Sequence, residues 1–305
     1  MHDFEVTVLG CGSATPSLLR NPSAQLLNAA GHLFLIDCGE GTQVQLRKNN
    51  IKIQRISHVF ISHLHGDHYL GLLGLMQTMH LLGRKIKLTL VCPPELKEII
   101  DLQNKHSQTT IVYEIEYIFT NPKQAEKIWE DDKIEITTFP LRHRINCTGF
   151  LFKEKPHLKN IDKEKLKEFK IPVSEINKLR LGLDVLDEKG NTIANTSVTL
   201  PPHPQRSYVY CSDTNYYEDI IEHIKEVDLL YHEATFLEAE AERAKRTFHS
   251  TAQQAATIAS KANVKQLLLG HFSARYSSTD GFIEEAQPIF LNTLIAHEGT
   301  TYQVE

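Results

Sequence analysis

The chain has 305 residues, 41% of them hydrophobic and 23% charged, with a net charge of −5 and a pI near 6.3. That length allows one large layered domain or two small ones, and the composition is that of an ordinary globular protein, not a disordered or fibrous one. The acidic balance excludes nucleic-acid binding driven by overall charge, so any RNA must be held by local patches and bound metal.

The opening residues Met1-His2-Asp3-Phe4-Glu5 contain no basic segment leading into an apolar one, so no secretory leader is expected. No apolar run approaches the roughly 20 residues that span a bilayer; no membrane partner is expected, and the expected location is the cytoplasm. The cysteines Cys11, Cys38, Cys92, Cys147 and Cys211 are scattered, odd in number and never spaced C-x-x-C. This argues against a disulfide framework or a zinc ribbon and fits a reducing compartment. Strand patterns cover residues 4–9, ahead of the turn Gly10-Cys11-Gly12, then 33–37, 59–62, 88–92 and 111–119. They continue over 134–139, 148–152, 208–212, 229–232 and 266–270. Helical periodicity puts Leu70, Leu73, Met76, Gln77 and His80 on one face of a helix and predicts two more over 252–262 and 279–294. Strands and helices interleaved throughout predict a layered α/β or α+β fold. Periodicity alone leaves the sheet open, barrelled or doubled.

The central feature is Ser62-His63-Leu64-His65-Gly66-Asp67-His68, directly after a strand. Imidazole and carboxylate suit zinc, and a strand-end loop can converge side chains that a straight strand sends to opposite faces. Gly66 permits a tight turn that lets Asp67 and His68 face a second ion beside the first. The motif alone supplies too few ligands for two ions. His143, Asp213 and His271 each follow an apolar run, where loop residues gather at one edge of a sheet, and they are the candidate partners.

This series, H-x-H-x-D-H and then His, Asp and His at strand ends, resembles the metallo-β-lactamase superfamily. The resemblance spans essentially the whole chain and implies one domain over residues 1–305, an αββα sandwich with a binuclear metal site at one edge. By the same resemblance His63, His65 and His143 would hold one zinc, Asp67, His68 and His271 the other, and Asp213 would bridge both. Gly10-Cys11-Gly12-Ser13-Ala14-Thr15-Pro16 with Arg20-Asn21, Asp37-Cys38-Gly39-Glu40-Gly41, His232-Glu233-Ala234-Thr235 and His249-Ser250-Thr251 are similar to segments of the ribonuclease Z family. That likeness implies a zinc-dependent endoribonuclease acting on precursor tRNA, typically as a homodimer, with Arg20, Asn21 and Thr251 contacting substrate. Asp67 would serve as proton acceptor beside the metals, and His249 would stabilise the phosphate or protonate the leaving oxygen. Glu233 would orient His249 and favour its charged form.

One stretch differs in composition. Residues 153–189 are dense in lysine and glutamate with sparse large apolar residues, and are expected to form a protruding arm. In the family such an arm grips tRNA, often through a Gly-Pro motif; here Ile171-Pro172-Val173-Ser174 stands in its place. The lysines suit phosphates, and the alternating glutamates equally suit a solvated helix with i,i+4 pairs. A metal-dependent phosphodiesterase or other hydrolase of the same fold acting on a small molecule is the alternative to tRNA processing.

Overall fold

Alternating apolar residues give the strands two buried faces, and two seven-stranded sheets stack on them. The structure, a computed structural model, describes residues 3–15 and 17–305; Met1, His2 and Pro16, the last residue of the Gly10–Pro16 motif, lie outside the described residues. The first sheet is ordered 301–303, 4–10, 24–29, 32–36, 56–60, 88–92 and 115–119, the second 293–295, 266–270, 229–233, 207–211, 147–154, 134–141 and 126–130. Each is built from a four-stranded antiparallel part continued by parallel strands. Successive side chains along a strand face opposite ways. Phe34 and Ile36 therefore point between the sheets while Leu35 points to the outer helices. Phe34, Phe60, Phe150 and Phe152 join the sheets, with ring centroids 5.1–5.9 Å apart. The Gly66–Leu81 and Glu95–His106 helices cover the first sheet and Ala252–Lys261 the second. The result is the expected αββα sandwich. Among the described residues no helix is long and apolar enough to cross a membrane.

Two expectations are corrected. The buried face of the Gly66–Leu81 helix is His68, Leu72, Leu75, Met76 and Met79, whereas Leu70 is 52% exposed. Leucines stand on both sides of this helix, so spacing could not choose the inward one. The helix expected over 279–294 stops as Asp280–Ala286, and Thr293–Ile295 is an edge strand. Gln287 keeps helical backbone, but Pro288 offers no N–H to continue the ladder.

The lysine-rich segment begins inside strand Cys147–Glu154 and leads into a satellite that runs on to strand Thr199–Leu200. Ile171, Leu179, Val185 and Val198 form its small core. Buried Asn195 ties it together, donating from Nδ2 to the carbonyls of Leu179 (2.6 Å) and Leu183 (3.2 Å). Several charges pair locally, including Lys165–Glu168 and Lys178–Glu175, while Val173, Leu181, Leu183 and Leu186 stay exposed.

At the root of the satellite, Arg206 grips Glu154 through Nη2 (2.7 Å) and Nε (2.9 Å), and the Arg206 backbone N–H adds a third bond (3.0 Å). Burial works against the Glu154 carboxylate, but these donors hold its pKa below the ordinary 4.5. A carboxyl with a depressed folded pKa stabilises fully above its unfolded value and loses that contribution as pH falls through the folded one. Glu154→Gln is therefore expected to lower stability by about 3 kcal/mol at pH 7 and to converge with the parent in acid. Thermal melts at a series of pH values read this directly; an equal gap at all pH values would refute it.

Candidate metal centre and active site

Seven ligand side chains converge where the strand ends of both sheets meet. The loop after Ile56–Phe60 delivers His63 and His65, and the first turn of Gly66–Leu81 delivers Asp67 and His68. His143 follows Ile134–Leu141, Asp213 follows Ser207–Cys211, and His271 follows Gln266–Gly270. The helix can start so close to the metals because Gly71 lies against the backbone of residues 38 and 39. A Cβ at Gly71 would stand 2.0 Å from the Gly39 carbonyl oxygen.

The ligand atoms form two adjoining groups. In one, His65 Nδ1 lies 3.1 Å from both His63 Nε2 and His143 Nε2, with Asp213 Oδ2 at 3.6 and 3.7 Å from those two nitrogens. In the other, His68 Nε2 and His271 Nε2 are 3.3 Å apart, and Asp67 Oδ2 is 3.4 Å from each. Asp213 Oδ1 completes that group at 3.4 and 3.2 Å. Ligands about 2.0–2.1 Å from a tetrahedral ion stand about 3.3–3.4 Å from one another, so both groups have the spacing of a coordination shell. Asp213 Oδ1 is buried without a hydrogen-bond donor, a vacancy in bonding that a cation satisfies. The residues present fit metal.

Outer partners fix three of the imidazoles. Nδ1 of His68 meets Asp37 Oδ2 (2.7 Å), that of His143 the Phe248 carbonyl (2.8 Å), and that of His271 Thr235 Oγ1 (2.9 Å). Such contacts set the tautomer and aim the other nitrogen at the metal. Buried Asp37 also accepts from the Ser62 backbone and hydroxyl and from Tyr210. Asp37, Phe248, His271 and Ala14 all have positive φ, between 54° and 63°. Left-handed backbone at non-glycine residues is disfavoured and clusters at functional sites. The Ala14 N–H donates to Asp67 Oδ2 (2.6 Å).

Glu233 is the second buried anchor. Its carboxylate accepts from the backbone of Thr214, Thr235 and Ser250, from the Thr235 hydroxyl, and from His249 Nδ1 (2.9 Å). Burial opposes a charge on His249, but Glu233 and Asp213 prevail and push its pKa up to about 9. Burial also opposes ionisation of Asp67 and Asp213, yet the surrounding imidazoles hold both far below the usual carboxylate range. His63, His65 and His143 are depressed, foremost by burial, which keeps them neutral as ligands require.

The cluster opens into a cavity of about 490 Å³ lined also by Ala14, Pro22, Glu40, Leu70, Arg144 and Thr247. All seven expected ligands come together there, with His249 beside them and Glu233 behind it. Arg20, Asn21 and Thr251 do not line this cavity. The Arg20 guanidinium bonds the Tyr276 carbonyl, Asn21 bonds Glu298 through Nδ2 (2.7 Å), and Thr251 caps the Ala252–Lys261 helix and donates to Glu238 (2.6 Å). Asp37, Thr235 and Arg144 received no role from the sequence; the first two act through bonds to residues distant in the chain, which no local pattern reveals.

Fold and site together define a metal-binding protein of the metallo-β-lactamase fold. A metallo-β-lactamase fold protein, YhfI from Bacillus subtilis, superposes with a TM-score of 0.69 at 19% identity, covering 98% of this chain and 99% of that one. Human tRNase Z, short form, superposes with a TM-score of 0.71 at 27% identity over 99% of both chains. Ribonuclease Z of Bacteroides fragilis is 45% identical over 298 residues, 98% of each chain, and that of Phocaeicola vulgatus 46% identical over 305 residues, 100% of this chain and 99% of the other. The chain belongs to the ribonuclease Z family; the family model that spans it, described as Anti-Pycsar protein Apyc1, matches residues 4–291.

Proposed function

We propose that the protein is a zinc-dependent endoribonuclease that removes the 3′ trailer of precursor tRNA and leaves a 3′-hydroxyl on the tRNA. The observation that carries this reading is the pair of ligand groups sharing Asp213 with a cationic His249 held beside them by Glu233. Two divalent cations, when bound, would supply the Lewis acidity that activates water at neutral pH and neutralises phosphoryl oxygens. Asp67, ionised and fixed by the Ala14 N–H, accepts the proton of the attacking water. With Nδ1 committed to Glu233, His249 has Nε2 free to give a proton to the departing 3′ oxygen as the P–O3′ bond breaks. The trailer keeps the 5′-phosphate. Incubating metal-loaded protein with a 3′-extended precursor tRNA should yield one mature-length product ending in a 3′-hydroxyl; absence of cleavage with zinc, manganese and magnesium would defeat the proposal. Two zinc ions per chain is the expected metal content, measured by atomic emission.

The satellite is the proposed tRNA-gripping arm, and a second copy of the chain the proposed partner, in the cytoplasm. Exposed Leu70 near the start of the Gly66–Leu81 helix and Leu81 and Leu82 at its end support self-association, which light scattering tests. Replacing residues 156–205 with a short glycine linker is expected to lower precursor cleavage on the order of 10²-fold by removing phosphate contacts, while hydrolysis of a small phosphodiester persists. Equal retention of both activities would favour the second reading, a hydrolase of small phosphodiesters. A cavity of about 490 Å³ keeps that reading in view.

A further inference from the structure

The metal cavity does not end at Arg144. Its wall continues through Ile145 and Asn146, and the facing wall continues from His65 back through Leu64 to Ser62. Between these walls and the loop at Pro93–Glu95 lie two further recesses, of about 160 and 80 Å³, that share Pro93, Glu95 and Asn146. Alternation explains the layout: His63 and His65 turn to the metals, which leaves Leu64 between them facing the other way, into the larger recess.

Among the described residues Arg144 is the only lysine or arginine lining the metal cavity. Its side chain is exposed and makes no hydrogen bond or ion pair among the described residues, although it stands close enough to His65 to disfavour its protonation. A guanidinium left free at the mouth of a phosphodiester-cleaving cavity suits a phosphate. Beyond it the surface turns apolar, with Ile145 37% exposed and Pro93 and Leu64 opposite. Glu95 at the far end repels phosphates, so this part suits base faces and the amide of Asn146 a base edge.

We propose that this groove holds the single-stranded 3′ extension of the substrate: Arg144 binds the phosphate next to the scissile one, and Ile145, Leu64 and Pro93 pack against the first trailer base. The proposal rests on the endonuclease reading above. RNA beyond the cut must leave the cavity, and the side carrying the Arg144 guanidinium is the exit that charge favours.

The test uses the metal-loaded full chain and precursor tRNAs with trailers of one, three and ten nucleotides, one set carrying 4-thiouridine at the first trailer position. Photo-adducts are expected within residues 143–148 or 93–95, read by mass spectrometry. Arg144→Ala should lose about tenfold in kcat/KM on the longer trailers and little on the single nucleotide, which lacks the phosphate it holds, whereas Ile145→Asp should lose about tenfold at every length, with metal content unchanged in both. Adducts elsewhere, or an Arg144→Ala loss that is equal at every trailer length, overturn the groove while leaving the endonuclease reading intact. Failure of the parent chain to cleave any precursor overturns both.

Discussion

Asp213→Ala is expected to empty both metal positions and to lower precursor cleavage by about 10⁴-fold or more. Asp213 offers one oxygen to each ligand group, 3.6 Å from His63 and 3.2 Å from His271 on opposite sides. Every other ligand touches one group, so His65→Ala should reduce the bound metal toward one ion per chain, and only the shared carboxylate takes both. The loss has a second component. Asp213 helps to keep His249 protonated, and without it a crowd of buried imidazoles faces no carboxylate but Asp67 at its centre. Metal content after desalting and the cleavage rate are the two measurements. Two retained ions with activity within tenfold of the parent would remove Asp213 from the bridging position.

His249→Ala should behave in the opposite way, with both ions kept and turnover lowered by about 10²- to 10⁴-fold, the range of a positioned general acid. His249 lies near Asp213 and His271 and so resembles a further ligand. Its Nδ1, however, is bonded to the Glu233 carboxylate, which also favours its charged form. The chemistry of the leaving group separates the roles. A nitrophenolate departs without a proton, so a nitrophenyl phosphodiester should lose much less than RNA. Equal losses on both substrates would mean that His249 binds the phosphate and does not protonate the leaving oxygen. Glu233→Gln should follow the same pattern more weakly, since the amide keeps a hydrogen bond to His249 but not the charge that favours its proton.

How much of this was legible before the structure follows from the range of each interaction. The convergence of the ligand candidates was readable because His143, Asp213 and His271 follow apolar runs, as the H-x-H-x-D-H motif does, and the strand ends share one edge of the sandwich. The strands Leu88–Cys92 and Gln266–Gly270 match their expected limits for the same reason, being buried on nearly all sides. Ala24–Ala29 and Glu126–Glu130 escaped notice, the first because Gln25 and Asn28 interrupt its apolar pattern, the second because it is a half-exposed edge. The helix Gly66–Leu81 was placed correctly but turned about its axis, because leucine on every side leaves no polar face to orient it. Asp37 was visible only as part of a motif; that it braces His68 depends on a pairing 31 residues apart in the chain. The satellite was legible only as an arm, with phosphate-binding lysines and a solvated helix equally open, because its core is only four buried residues wide.

The two sheets repeat one plan, and the repeat has a consequence for assembly. In each half the first parallel strand ends in an aspartate, Asp37 after His32–Ile36 and Asp213 after Ser207–Cys211. One braces an imidazole from behind and the other meets the imidazoles from the metal side. Neither half alone owns a complete coordination shell. Loading with ions is therefore a report that both halves have docked, and chelation should loosen the seam between them before it melts either one.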